Sequence, residues 1–250
     1  MNGVGHRRPQ RKRGHAPARR DVEVAGDLSD VTVELSDGAR VTGAVTTEDG
    51  EAVSYASVSL LRVPDGAAGA PAQADERNAG AGADEGGFNV EGLAAGRYFV
   101  QPARHHDEPA LYVKSVTWNG KDLTREPLEL AEGASVEGVR IVYARGPASL
   151  RVRAVRVGER GPALHVFVVL VPANVSEWSP HDWRQLSCST ADEGSCVVNA
   201  PPGDYRVVAL PPKAMREGVE AEVRRRAASA PLVGLRAGET KESEAVVPDR

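Results

Sequence analysis

The sequence predicts an all-β protein made of two tandem β-sandwich modules of one type, with one short helix near residues 214–228. Three observations predict it: short apolar runs with period two, dense glycine and proline punctuation, and an internal repeat of about 108 residues. The 250 residues are enough for one large domain or two ordinary ones. Hydrophobic residues make up 41%, enough for packed cores, while 26 glycines and 17 prolines punctuate many short strands. Aromatics are only 4%, so the cores must be built mainly from Val, Leu and Ala.

The repeat is an ordered series of short matches. ADEGGFNV (83–90) returns as ADEGSCVV (191–198), with Gly86 and Gly194 108 residues apart. Each copy is followed by Gly-x-Tyr, Gly96-Arg97-Tyr98 and Gly203-Asp204-Tyr205. Upstream, 41–64 parallels 150–172, and VTVELSDG (31–38) lies over VRIVYARG (139–146). Downstream, EPLELAEG (126–133) resembles APLVGLRAG (230–238). Slips in the offset fall in loops. The expected organisation is a disordered basic tail (1–20), a first sandwich (21–145) and a second (146–250). Residues 21–35 also resemble 122–143, which bridges the two copies. Residues 21–30 therefore read either as the tail of an earlier copy in a longer array or as part of a simple N-terminal extension.

Within each copy, Val41, Gly43 and Val45, then Ala56, Val58 and Leu60, sit two apart, which places each set on one face of a strand. ALHVFVVLV (163–171) is apolar throughout, as a strand covered on both faces would be. Glu48-Asp49-Gly50, Asp84-Glu85-Gly86, Gly158-Glu159-Arg160-Gly161 and Asp192-Glu193-Gly194 are turn signals. Each Gly-x-Tyr follows an Ala- or Pro-rich reversal, and its ring can fill core while the hydroxyl reaches a backbone group. In 214–228, Val219 and Val223 are four apart, as are Glu220/Arg224 and Glu222/Arg226, the spacing of stabilising helical pairs. Arg224, Arg225 and Arg226 then form a solvated charged face.

Each copy thus runs Gly/Ala-x-Val, a glycine turn, Ala-x-Val-x-Leu, Asp-Glu-Gly-x-Phe and Gly-x-Tyr-x-Val. That order resembles the carboxypeptidase regulatory-like domain over roughly residues 30–250. Residues 112–116 with Asn119-Gly120-Lys121-Asp122 resemble a segment of large bacterial proteins that carry such modules. The resemblance implies a seven-stranded Greek-key sandwich of prealbumin-like (also starch-binding-like) type, and no catalytic domain. Fold alone does not choose a function here, because the same scaffold serves many.

The second copy departs from the pattern where Cys196 stands in place of the counterpart of Phe88. Cys188 lies eight residues earlier, across an expected hairpin turning at Asp192-Glu193, so the two can face each other and form a disulfide. Two metal ligands or two packed thiols are the alternatives. No histidine or further cysteine pair stands nearby with zinc spacing. A disulfide would suit an extracytoplasmic location, periplasmic, cell-surface or secreted, although no signal peptide is present in this chain.

Few residues suggest chemistry. His105-His106-Asp107-Glu108 could supply ligands, but neighbours on a strand point to opposite faces. Ser179, His181 and Asp182 have no nucleophile-elbow context. No cofactor motif occurs, and the formal net charge of −4 lacks the basic excess of a nucleic-acid binder. No run approaches the roughly 20 apolar residues of a membrane span. The best binding candidate is the loop 174–185, where Trp178 and Trp183 could stack on a sugar and His181, Asp182 and Arg184 could bond its hydroxyls. Asn174-Val175-Ser176 fits a glycosylation sequon. The expected function is non-catalytic: an extracytoplasmic structural, adhesive or interaction module pair with a surface-protein or glycan partner. The alternative is a carbohydrate-binding pair.

Overall fold

The computed structural model describes residues 14–17, 31–53, 56–63, 77–80, 85–102, 111–124, 126–156, 161–175, 178, 186–214 and 219–247. Among the described residues the fold is all-β with one short helix. The first nine strands are β1 (Ala39–Thr47), β2 (Ser57–Arg62), β3 (Arg77–Gly80), β4 (Gly87–Leu93), β5 (Gly96–Pro102), β6 (Leu111–Trp118), β7 (Lys121–Asp122), β8 (Leu128–Leu130) and β9 (Ser135–Arg145). They form two sheets, ordered β4-β1-β9-β6-β7 and β3-β2-β5-β8. Seven more follow: β10 (Ala148–Arg156), β11 (Phe167–Pro172), β12 (Leu186–Ser189), β13 (Ser195–Ala200), β14 (Gly203–Leu210), β15 (Leu232–Leu235) and β16 (Thr240–Val247). Their sheets are ordered β13-β10-β16 and β12-β11-β14-β15.

The two sets share one strand order. β4-β1-β9 matches β13-β10-β16, and β3-β2-β5-β8 matches β12-β11-β14-β15. In both, the first and last strands run parallel and every other pairing is antiparallel. Individual bonds repeat as well. The Val45 amide donates to Gly86 and the Ala154 amide to Gly194, at 2.8 and 2.9 Å. Tyr98 donates its hydroxyl to Ala94 and Tyr205 to Pro201, each to the carbonyl four residues earlier at 2.9 Å. Both rings are buried, so each hydroxyl satisfies a carbonyl at the reversal while the ring fills the core. Gly86 and Gly194 take φ of 61° and 65°, in the left-handed region where a Cβ is disfavoured.

The seven-strand expectation holds for the strands common to both sets, and the first set adds a hairpin, β6–β7. Its two-residue turn, Asn119-Gly120, has φ of 49° and 77°, the positive pair a type I′ turn requires. In the second set the stretch between β14 and β15 holds a helix instead, α1 (Val219–Ala227), inside the expected 214–228. Glu220 pairs with Arg224 at 3.1 Å and Glu222 with Arg226, as their spacing requires, and Glu222 also holds Arg225 at 2.6 Å.

Period-two burial makes two cores. One collects Val41, Val45, Val58, Leu60, Phe88, Tyr98 and Ile141, and the other Leu150, Val152, Val168, Leu170, Leu186, Tyr205 and Val207. A third cluster lies outside the second sandwich. The outward residues of β11 and β14, Val169, Val171, Val208 and Leu210, pack against Trp178, Val223 and Ala227. β11 is therefore covered on both faces, which explains its unbroken apolar run.

Two expectations at the N-terminus change. Residues 14–17, assigned to a disordered tail, are bridged to 36–38: the Ala16 amide donates to Ser36 and the Gly38 amide to Gly14, both at 3.0 Å. Gly92 lets this segment approach, since a Cβ there would lie 3.0 Å from the His15 carbonyl oxygen. Residues 31–36, aligned with β9, form no strand, and Val31, Val33 and Leu35 are exposed. β9 is a strand because β1 and β6 flank it on both sides, and alternation without flanking ladders does not make one.

Candidate functional site

The binding loop proposed from sequence begins where β11 ends. The Ala173 amide donates to Asp204 at 2.9 Å, and one turn later the Trp178 amide donates to Val175 at 3.1 Å. Trp178 is only 2% exposed, so it offers no face for stacking on a sugar. This corrects the expectation. The outer face of β11 and β14 is apolar and requires cover, and Trp178 with α1 supplies it. The Arg224 guanidinium lies 5.3 Å from the Trp178 ring centroid and donates to the Trp178 carbonyl at 3.0 Å. The buried indole N–H has no hydrogen-bond partner among the described residues. Arg206 of β14 donates to the carbonyls of Ala228 and Ala230, tying the end of α1 to the sheet where a cation favours the helix dipole.

His181, Asp182, Trp183 and Arg184 lie outside the described residues, as do Ser179 and His105-His106-Asp107-Glu108. Asn174 is exposed, and Ser176 of the same sequon is outside the described set. Among the described residues no group of three or more His, Cys, Asp or Glu could hold a metal ion. Among them, too, no helix is long and apolar enough to cross a membrane.

Cys188 and Cys196 are joined in a disulfide with Cα atoms 6.0 Å apart. Its placement differs from the expected hairpin. Cys188 lies on β12 opposite Val168 of β11, whereas Cys196 lies on β13 opposite Val152 of β10. The connection at Thr190–Gly194 crosses from one sheet to the other, so the bond staples the edges of two sheets. Thr190 fixes that crossing: its buried hydroxyl accepts from the Val166 amide and donates to the Ala163 carbonyl, each at 2.9 Å. Both sulfurs pack against the second core.

A polar face was not singled out in the sequence. On the outer side of β13-β10-β16, Arg151 stands beside Glu242 and Arg153 beside Glu244, and the concavity between them is completed by Glu193 and Ser195. Its signal was present in the alternating charges of LRVRAVR (150–156) and TKESEAVV (240–247). Among the described residues, two other groups are shifted from their ordinary values by their neighbours. The Arg225 guanidinium, and behind it Arg226, hold the Glu222 carboxyl below its ordinary range against the opposing effect of burial. Lys114, bonded to Glu48 at 2.7 Å, is raised by that bond and by the carboxylate's charge.

No family model matches the chain, and no curated protein does. Among similar solved structures, the Bacillus anthracis TIE protein shares 10% identity at a TM-score of 0.29 over 88% of this chain. The chain spans 35% of that protein's length. The Streptococcal ancillary pilin shares 14% identity at 0.29, covering 81% of this chain and 63% of its own. GBS52, the minor pilin of Streptococcus agalactiae, shares 11% at 0.29, covering 84% and 94%. At such scores the likeness goes no further than these numbers.

Proposed function

We propose that the chain is a pair of non-catalytic structural or interaction modules of carboxypeptidase regulatory-like type, spanning 21–145 and 146–250, that works outside the cytoplasm. The observation that carries this reading is the repeated sandwich with its repeated tyrosine bonds, the second copy stapled between its sheets by Cys188–Cys196. Two units in direct succession, β9 ending at Arg145 and β10 beginning at Ala148, suit a spacer or a presenting scaffold. A disulfide closing such a short loop supports an oxidising compartment. The carbohydrate-binding alternative loses its two-tryptophan platform with the burial of Trp178.

The test uses the native host. Fractionation with membrane-impermeant surface labelling, followed by non-reducing mass measurement, should find the protein extracytoplasmic with no alkylatable thiol. A cytoplasmic protein with two free thiols would overturn the location. Single-molecule stretching should then give two separate unfolding events, and one event would overturn the two-module reading.

A further inference from the structure

β16 occupies in the second set the place of β9 in the first, each parallel to the first strand of its sheet. β9 carries another strand on its far side: β6 pairs with it antiparallel, from Leu111↔Arg145 to Thr117↔Arg140. β16 ends its three-stranded sheet, and among the described residues no strand lies beyond it. The cause is in the connection. Where the first set forms β6 and β7, the second forms α1, which packs on the other sheet against β14. A ladder edge that is filled in one copy is left open, among the described residues, in the other.

Register defines what would fit. Ala44 pairs with Arg140 and Arg153 with Glu244, and the next rungs align Ile141 with Ala245, Val142 with Val246 and Tyr143 with Val247. Ala245 and Val247 point into the sandwich and are buried, whereas Glu244 and Val246 face outward, Val246 at 49% exposure. Beside β9 the inward positions are met by Val116 and Val113 and the outward ones by Thr117 and Ser115. One difference matters: Arg140 is replaced by Glu244, so the charge presented to an incoming strand is reversed.

The same charge argues against a second copy as the occupant. Antiparallel pairing about a two-fold axis keeps one face together. In registers centred on residues 242 to 244, Glu242 or Glu244 therefore meets itself or the other, and like charges directly opposite are destabilising. Lys241, at the core side of the edge, with its ammonium on the Gly234 carbonyl at 3.0 Å, is a further guard against casual pairing.

We propose that the outer edge of β16 is a strand-addition site for an extended segment of a partner protein. The segment enters antiparallel, with apolar side chains opposite Ala245 and Val247, a small one opposite Val246, and a lysine or arginine opposite Glu244. The site exists wherever the protein resides, so its failure would leave the proposed location untouched.

The experiment uses the whole chain and two peptides built on residues 110–119, ALYVKSVTWN, with Lys or Glu in place of Thr117. Titration should show the Lys peptide binding tighter by about two- to five-fold, the range of a cross-strand charge pair. Glu244→Lys, a surface change, should reverse the order. Amide exchange should slow at Glu244–Val247 on binding, and exchange in the free variant reports whether it is folded. No saturable binding at millimolar peptide overturns the proposal. So does protection confined to the edges at β12, β13 or β15, or an order that a folded Glu244→Lys protein leaves unchanged.

Discussion

Gly43 lies opposite Phe88 across β1 and β4, and at the equivalent rung of β10 and β13 Val152 lies opposite Cys196. The two copies exchange bulk across one rung: a ring over a glycine in the first, an isopropyl group beside a sulfur in the second. A Cβ added at Gly43 would fall on the Val139 carbonyl oxygen and 2.6 Å from the Phe88 ring. Gly43→Ala should therefore destabilise the first sandwich by about 1–3 kcal/mol, the cost of overpacking a closed core. Urea unfolding measures it, and a loss below about 0.5 kcal/mol, the size of an ordinary surface change, would sink the packing argument.

Removing the staple should act on the second sandwich alone. Cys188 and Cys196 are eight residues apart, and opening a loop of that length costs about 2–3 kcal/mol in the chain-entropy account. Cys188→Ser/Cys196→Ser should lower the second unfolding transition and spare the first, as read from amide exchange at Val152 and Val45. Equal losses at both amides would show the two cores to be one cooperative unit.

Trp178 is expected to behave as a core residue. Trp178→Ala should cost about 3–5 kcal/mol, the usual range for truncating a buried tryptophan. It should also release α1, raising the exposure of Val223. Unfolding by denaturant together with proteolysis near 219–227 reads both effects. A variant as stable as the parent would return Trp178 to the list of ligand contacts.

Glu222 sets an acid-side dependence. Its carboxyl is held low in the folded protein, first by Arg225 and then by Arg226. A depressed folded value means its contribution is present above the unfolded value, roughly pH 4.3, and is lost as pH falls through the folded value. Glu222→Gln should thus be less stable than the parent at neutral pH, with the gap closing below roughly pH 4. A gap that stays constant down to pH 3 would assign the effect to packing and not to charge.

Much of this architecture could be read from single residues. Alternation at Val41, Val45, Val58 and Leu60 assigned faces because successive side chains on a strand point opposite ways. Gly86/Gly194 and Tyr98/Tyr205 marked equivalent turns because each asks for a backbone geometry or a bond that few other residues supply. The candidate site was less legible. Trp178 in a polar loop looked exposed, since nothing local reveals that Val169, Val171, Val208 and Leu210 leave a face that α1 and this ring must cover.

By itself, then, the sequence determined the two-copy repeat, the inward faces at positions such as Val41, Val45, Val58 and Leu60, and a helix within 214–228, all of which follow from periods of two or 3.6 and from turn chemistry within a few residues. Only the tertiary structure decided that Cys188 and Cys196 join different sheets, that Trp178 lies under α1, and that, among the described residues, β16 is an edge where β9 is not. Sheet membership depends on partners dozens of residues away. Two copies with the same local pattern diverge when one connection folds as a hairpin and the other as a helix.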